Sequence, residues 1–419
     1  MRKINSRERI LKALNHKEPD RVPIDIGGST VTGISAIAYN NLKNYLGIEE
    51  GNVRVFEVMQ QLVRVEEWFL DRFNIDVLDV GAAYLTNDEN WYDVETNGIK
   101  MQYPNFFQPR QNPDGSFEIV DEDGTVLGSM SKAALVFDQD YYPYEDGYPE
   151  DFTFLSFIKA FNKNAWAKCI FPPFSNMGER RFWKNLRENA IKLRDETLKC
   201  IILNFGGGVF QDLHNFRRMD RLIMDTVRNP SKLKKMVDYQ IEFHINALKV
   251  ICKYIGDVVD IIVFGDDLAE KNGPMISPKT YQKFFKYGHE ELCDYVKKHS
   301  SMKIFFHTCG AVVKLIPDLI EIGIDILNPI QLSAKEMDPK FIKGTFGDDL
   351  VLWGGGADTT EVLNRKSPEE VKSHVKELLE IFAPGGGYVW NTVHNILPDV
   401  PPENIIAAMD AIEEYNNEN

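Results

Sequence analysis

Eight short apolar runs punctuate the chain, and most are followed by a stretch with helical spacing of its hydrophobic positions. They are VPIDIGG (22–28), IDVLDVGA (75–82), KCIILNFGG (199–207), VVDIIVFGDD (258–267), MKIFFHTCG (302–310), GIDILNP (323–329), LVLWGGG (350–356) and GYVWNTV (387–393). The runs are continuous rather than alternating, as expected of strands covered on both faces. Between them lie helical patterns such as 277–299 and 367–382, where Ser277 and Ser367 occupy N-cap positions and each is followed by Pro. A first helix is expected near Ser6–Asn15, with Ser6 as its N-cap. Strand–helix alternation repeated eight times predicts an α/β protein with a (β/α)₈ (TIM) barrel and an N-terminal helical extension.

One gap breaks the rhythm. Residues 90–136 are rich in Tyr, Asn and Gly, with turn signals NPDG (112–115) and DEDG (121–124) between runs such as SFEIV and TVLGSM. This spacing predicts β-hairpins inserted between the second and third strands. The expected organisation is a single barrel domain over 1–419, with an inserted layer at about 90–150 above the barrel mouth.

Length and composition fit this picture. A chain of 419 residues with 43% hydrophobic and 26% charged side chains can bury a large core. A net charge of −15 argues against a nucleic-acid partner, which requires clustered Lys and Arg. The five cysteines form no CxxC pair, which fits reduced thiols. The charged amphipathic start lacks the apolar core of a secretory signal, and no run approaches a membrane span. A cytoplasmic protein without a membrane partner is expected; the pattern sets no oligomeric state.

In a barrel of this kind, chemistry collects where strands end. The fifth strand ends in FFHTCG, and His307 and Cys309, two residues apart, face the same side of an extended strand. Taken alone, this pair also describes a buried cysteine beside a core histidine. The eighth strand adds His394 just past its end, three staves around the ring. Three N/S ligands with a fourth position open is the arrangement of a catalytic zinc, and one thiolate with two imidazoles suits zinc better than iron or copper.

Other strand ends supply candidates for a substrate pocket. Asp266 and Asp267 follow the fourth strand; Asp266 is expected to orient His307 or add a fourth ligand, unless it caps a helix or forms a salt bridge. Asp25 and Asp79 lie in the first two strands and Asp358 follows the seventh, and a carboxylate there is costly to bury unpaired. The third βα loop offers Phe210, His214 and Phe216 as walls for an apolar or aromatic substrate, or as ordinary packing. The remaining histidines, His16, His244, His289, His299 and His374, are expected on solvated or capping positions.

Several stretches resemble the uroporphyrinogen decarboxylase superfamily: RERILKALNHKEPDRVP near the start, FGDDLAEKNGPMISPKTY (264–281), FFHTCGAVVKLIPDLIEIGIDILNPIQ (305–331), WGGGADT (353–359) and NTVHNILPDVPPENI (391–405). The resemblance implies a (β/α)₈ barrel and one of two activities, porphyrinogen decarboxylation or zinc-dependent methyl transfer with a corrinoid protein. True decarboxylases carry an arginine-rich MRQAGR-like signature after the first strand, where this chain reads IDIGGSTVTG. In the methyltransferase branch, His307 and Cys309 match the His-x-Cys pair, while His394 stands where a third ligand is commonly Cys. Zn²⁺ with a single thiolate keeps a formal charge of +1 and is a harder Lewis acid, suited to an oxygen rather than a thiol. The resemblance therefore implies demethylation of a small-molecule methyl ether or methoxylated aromatic, with the cobalamin-type corrinoid on a separate partner protein. Thiol methylation from a methylated corrinoid, a decarboxylase-type lyase and a non-catalytic subunit of a corrinoid complex are the alternatives.

Overall fold

The computed structural model describes residues 4–169 and 178–418. Seven of the eight expected runs form one parallel sheet, the second to eighth staves: Val77–Asp79, Cys200–Gly206, Ile261–Gly265, Lys303–His307, Ile326–Asn328, Val351–Trp353 and Tyr388–Val389. Each pairs with the next in chain order. Side chains along the third and fifth staves, such as Ile201, Ile202 and Ile304–Phe306, are fully buried, which explains their unbroken apolar sequence.

The first run closes the ring without forming a full strand. Ile24 makes a parallel bridge to Trp390. Trp390 N–H donates to the Pro23 carbonyl at 2.8 Å and Asp25 N–H donates to Trp390 at 2.9 Å. On the other edge, Asp76 N–H donates to the Ile24 carbonyl at 2.9 Å. Pro23, which has no N–H to give, keeps this stave short. Close packing shapes the seventh loop as well: a Cβ on Gly356 would sit 2.2 Å from the indole nitrogen of Trp390, so only glycine fits.

The caps follow local chemistry. Ser277 accepts from Thr280 N–H and Ser367 forms a capping box with Glu370, as expected. The 277–299 pattern is two helices, Pro278–Phe284 and Lys286–His299, joined at Phe285. The first helix is Ser6–Leu14, and its cap is Asn5 rather than Ser6, because Asn5 and Glu8 satisfy each other's backbone N–H.

The gap after the second stave holds antiparallel strands. A hairpin, Trp91–Thr96 with Ile99–Pro104, is followed by a sheet of Arg110–Gln111, Phe117–Val120, Val126–Met130 and Asp138–Gln139. Its turns are the ones the glycines mark, with Gly115 N–H donating to Asn112 and Gly124 N–H to Asp121. The inserted segment is tied to the loop after the third stave: Gln139 Nε2 donates to the Asn215 carbonyl and Tyr144 N–H to Phe216. Among the described residues no helix is long and apolar enough to cross a membrane.

Candidate metal centre and its cavity

His307 is the last residue of the fifth stave, Cys309 lies two residues on, and His394 follows the eighth stave. One ring nitrogen from each histidine and the Cys309 sulfur lie within 4.8 Å of one another. His307 Nε2 is 3.5 Å from Cys309 Sγ, and the two imidazole centroids are 5.3 Å apart. Zinc bonds of about 2.1 Å to nitrogen and 2.3 Å to sulfur in tetrahedral geometry require an N···S separation of about 3.6 Å.

The neighbours decide which atom of His307 faces the cluster. Asn328, on the sixth stave, gives its Nδ2–H to the Trp353 carbonyl at 2.8 Å, which turns its Oδ1 toward His307. That oxygen lies 2.6 Å from His307 Nδ1, so Nδ1 carries the proton and Nε2 keeps a lone pair. Asp267 accepts from the Cys309 backbone N–H at 2.7 Å, and the same oxygen is 3.8 Å from His307 Nε2. Burial, helped by repulsion from His307, lowers His394 to about 4, which leaves it a neutral imidazole. Desolvation in the cleft and then the charge of Asp267 push the Cys309 thiol well above its usual range. This donor set suits a divalent cation: it offers two imidazole nitrogens, and a thiol whose ionisation coordination would drive. The residues present therefore fit zinc.

The cluster borders a cavity of about 440 Å³. Phe161, Trp166, Phe205, Phe216 and Phe243 give it aromatic walls, and His307, His394 and Asp267 lie at one side. His214 lines it too, with its Nδ1 2.5 Å from the Gln211 carbonyl. Phe216 stacks on Tyr144 and Phe157, which fixes its ring.

Several expected site residues are elsewhere. Asp266 is fully buried and faces away from His307; it accepts the N–H groups of Val209, Phe210 and Gln211 and binds His289 Nε2 at 2.8 Å. It shapes the third loop, and the orienting role expected of it falls to Asn328. Phe210 is buried against Phe285, away from the cavity. Asp25 accepts from Gly28 N–H and the Trp353 indole, and burial raises it to about 6. Asp79 bonds Gly81 N–H and Asn204, is likewise raised to about 6 by burial, and lines a different cleft beside Arg64. Asp358 accepts from Thr360 and Glu361 as a local turn cap.

Two histidines expected on the surface are buried. His289 is sealed between Asp266 and the Tyr281 hydroxyl, 3.0 Å from its Nδ1. His244 lines the cavity beside Gln240 and Asp212. Helical spacing carries the missed signal. Val237, Gln240, Ile241, His244, Ala247, Leu248 and Ile251 form one buried stripe, and His289 shares another with Leu292, Cys293 and Val296.

With this geometry in hand, the relationship to known proteins follows. The family model for Uroporphyrinogen decarboxylase (URO-D) matches residues 202–415, just over half of the chain, and the chain belongs to that family. It is 26% identical over 148 residues to a uroporphyrinogen decarboxylase of Pseudoalteromonas translucida, covering 34% of this chain and 39% of that one. It is 32% identical over 68 residues to the enzyme of the same name from Methylococcus capsulatus, covering 16% of this chain and 19% of that one. The matched part thus spans well under half of these relatives' length. A solved methyltransferase from Methanosarcina mazei has a similar fold over 98% of this chain and 99% of its own, with a TM-score of 0.56 at 15% identity. That likeness supports the TIM-barrel architecture.

Proposed function

We propose that this chain is a cytoplasmic zinc-dependent methyltransferase. It takes a methyl group from an oxygen substrate, a methyl ether or methoxylated aromatic, and passes it to the Co(I) centre of a separate corrinoid protein. The observation that carries this reading is the convergence of His307, Cys309 and His394, from two staves, at the edge of an aromatic-walled cavity. Zinc held by one thiolate and two neutral imidazoles supplies a Lewis acid of formal charge +1, which favours an oxygen ligand over a soft thiol.

The chain's own residues prepare that site. Asn328 holds the His307 tautomer and Asp267 holds the backbone turn that carries Cys309. Phe216, braced by Tyr144 and Phe157, and the other rings exclude water and give a flat substrate a surface to stack on. The decarboxylase reading suggested by the relatives' names finds less support. Among the described residues no Lys or Arg lines the cavity to meet the acidic side chains of a porphyrinogen.

The test is metal analysis of the purified protein with methyl transfer assayed beside it. About one zinc per chain is expected, falling to a trace in His307→Ala and Cys309→Ala, with methyl transfer from an ether to a reduced corrinoid protein lost at least about 10³-fold. A protein that binds no zinc would end this reading. Methylation of thiols alone, with ethers inert, would reverse the direction of transfer.

A further inference from the structure

The cavity's polar groups differ in sign from those that would hold an acid. Two carboxylates face it, Asp267 beside the candidate metal ligands and Asp212 on the 3₁₀ turn Gln211–Asn215. Among the described residues its only cationic capacity, apart from the candidate ligands, lies in His214 and His244. His214 points its Nδ1–H at the Gln211 carbonyl. His244 Nε2 sits 3.2 Å from the Gly208 carbonyl and 3.6 Å from Asp212 Oδ2. Gln240 Nε2 lies 2.7 Å from His244 Nε2 and 3.4 Å from Asp212 Oδ2, and ties the two side chains together as a donor.

We infer that the cavity selects an uncharged aromatic ether and rejects one bearing a carboxylate, and that Asp212 is the residue that sets this discrimination. This rests on the oxygen-substrate reading and narrows it. A carboxylated ring stacked among Phe161, Phe205 and Phe243 would leave water and, among the described residues, find no Lys or Arg, while Asp212 repels it. An uncharged ring loses little on desolvation and gains the aromatic contacts. At the metal side, Asp267 stands beside the candidate ligands, its Oδ1 3.8 Å from His307 Nε2, so a second carboxylate of the cavity opposes an acid group there.

The test is calorimetric titration of the zinc-loaded protein with methoxybenzene and with para-methoxybenzoate, without corrinoid protein, so that binding is read apart from methyl transfer. The carboxylate should bind at least about tenfold more weakly (~1.4 kcal/mol). In Asp212→Asn, which keeps an oxygen for Gln240 and leaves the metal ligands untouched, the ratio should fall to within about threefold. Equal or tighter binding of the benzoate by the natural protein overturns the inference while the ether reading stands. A ratio unchanged in Asp212→Asn removes Asp212 from the selecting role. If neither compound binds the zinc-loaded protein, the oxygen-substrate reading itself fails and takes the inference with it.

Discussion

The two ends of the barrel treat buried charge in opposite ways. At the floor, where the staves begin, Asp76 is fully buried and receives Arg9 Nη1 at 2.8 Å, both terminal nitrogens of Arg21 at 2.8 and 2.9 Å, and Ile24 N–H. Arg9 in turn forks onto Asp20. Near the mouth, the buried carboxylate of Glu57 accepts from the backbone N–H groups of Met59 and Gln60 and from the Gln60 side chain, and burial raises it to about 7. Asp25 has likewise no Lys or Arg among its partners. The floor closes its charges into ion pairs, so they hold the ring shut. The mouth leaves Glu57 and Asp25 without a Lys or Arg, and there it is the imidazoles and the thiol beside the cavity that stay available to a ligand.

This contrast can be broken most sharply at the floor. Asp76→Ala removes the carboxylate shared by Arg9, Arg21 and the Ile24 N–H, and should cost about 3–5 kcal/mol of stability. Urea denaturation would show it, while zinc content per folded chain should stay near that of the natural protein. Loss of metal without loss of stability would mean that the two ends are not separate in function.

The next effect comes from Glu57. Its folded value of about 7 lies above the ordinary 4.5, so the native state holds this proton more tightly than the unfolded chain does. Its contribution is fully present below about pH 4.5 and is lost as pH rises through 7, a decline of about 3 kcal/mol between pH 4 and 8. Urea midpoints measured across that range should fall with pH, and Glu57→Gln should flatten the slope. A slope unchanged by that substitution would show that Glu57 holds its proton no more tightly in the folded chain than in the unfolded one.

The smallest effect sharpens the mouth itself. Asn328→Ala frees the His307 tautomer without removing a candidate ligand, and zinc affinity should fall about 10–100-fold by competition with a chelator. An unchanged affinity would mean that Asn328 serves only the Trp353 carbonyl.

Much of this was legible in the chain. Seven of the eight apolar runs became parallel staves, because side chains covered on both faces must be continuously apolar. The candidate ligands stood out because strand order places the ends of the fifth and eighth staves at one mouth. Asn328 did not, since an asparagine at the end of ILN gives no sign of which way its amide will turn. Of the neighbouring pair, Asp267 faces the cavity while Asp266 turns under the third loop, because adjacent side chains leave a strand end in opposite directions and only the packed loop fixes which faces the cavity. His244 and His289 were assigned to solvent although their apolar stripes marked them as buried.

Sequence by itself determined the α/β alternation, the inserted hairpins and the residue types able to grip a soft divalent ion, because periodicity and turn chemistry are local properties. Tertiary structure alone decided that Pro23–Asp25 would bridge both sheet edges, that Asn328 rather than Asp266 would meet His307, and that Asp212 would face the cavity. Each of these depends on groups dozens to hundreds of residues apart arriving within a hydrogen bond's reach, and no spacing along the chain encodes that distance.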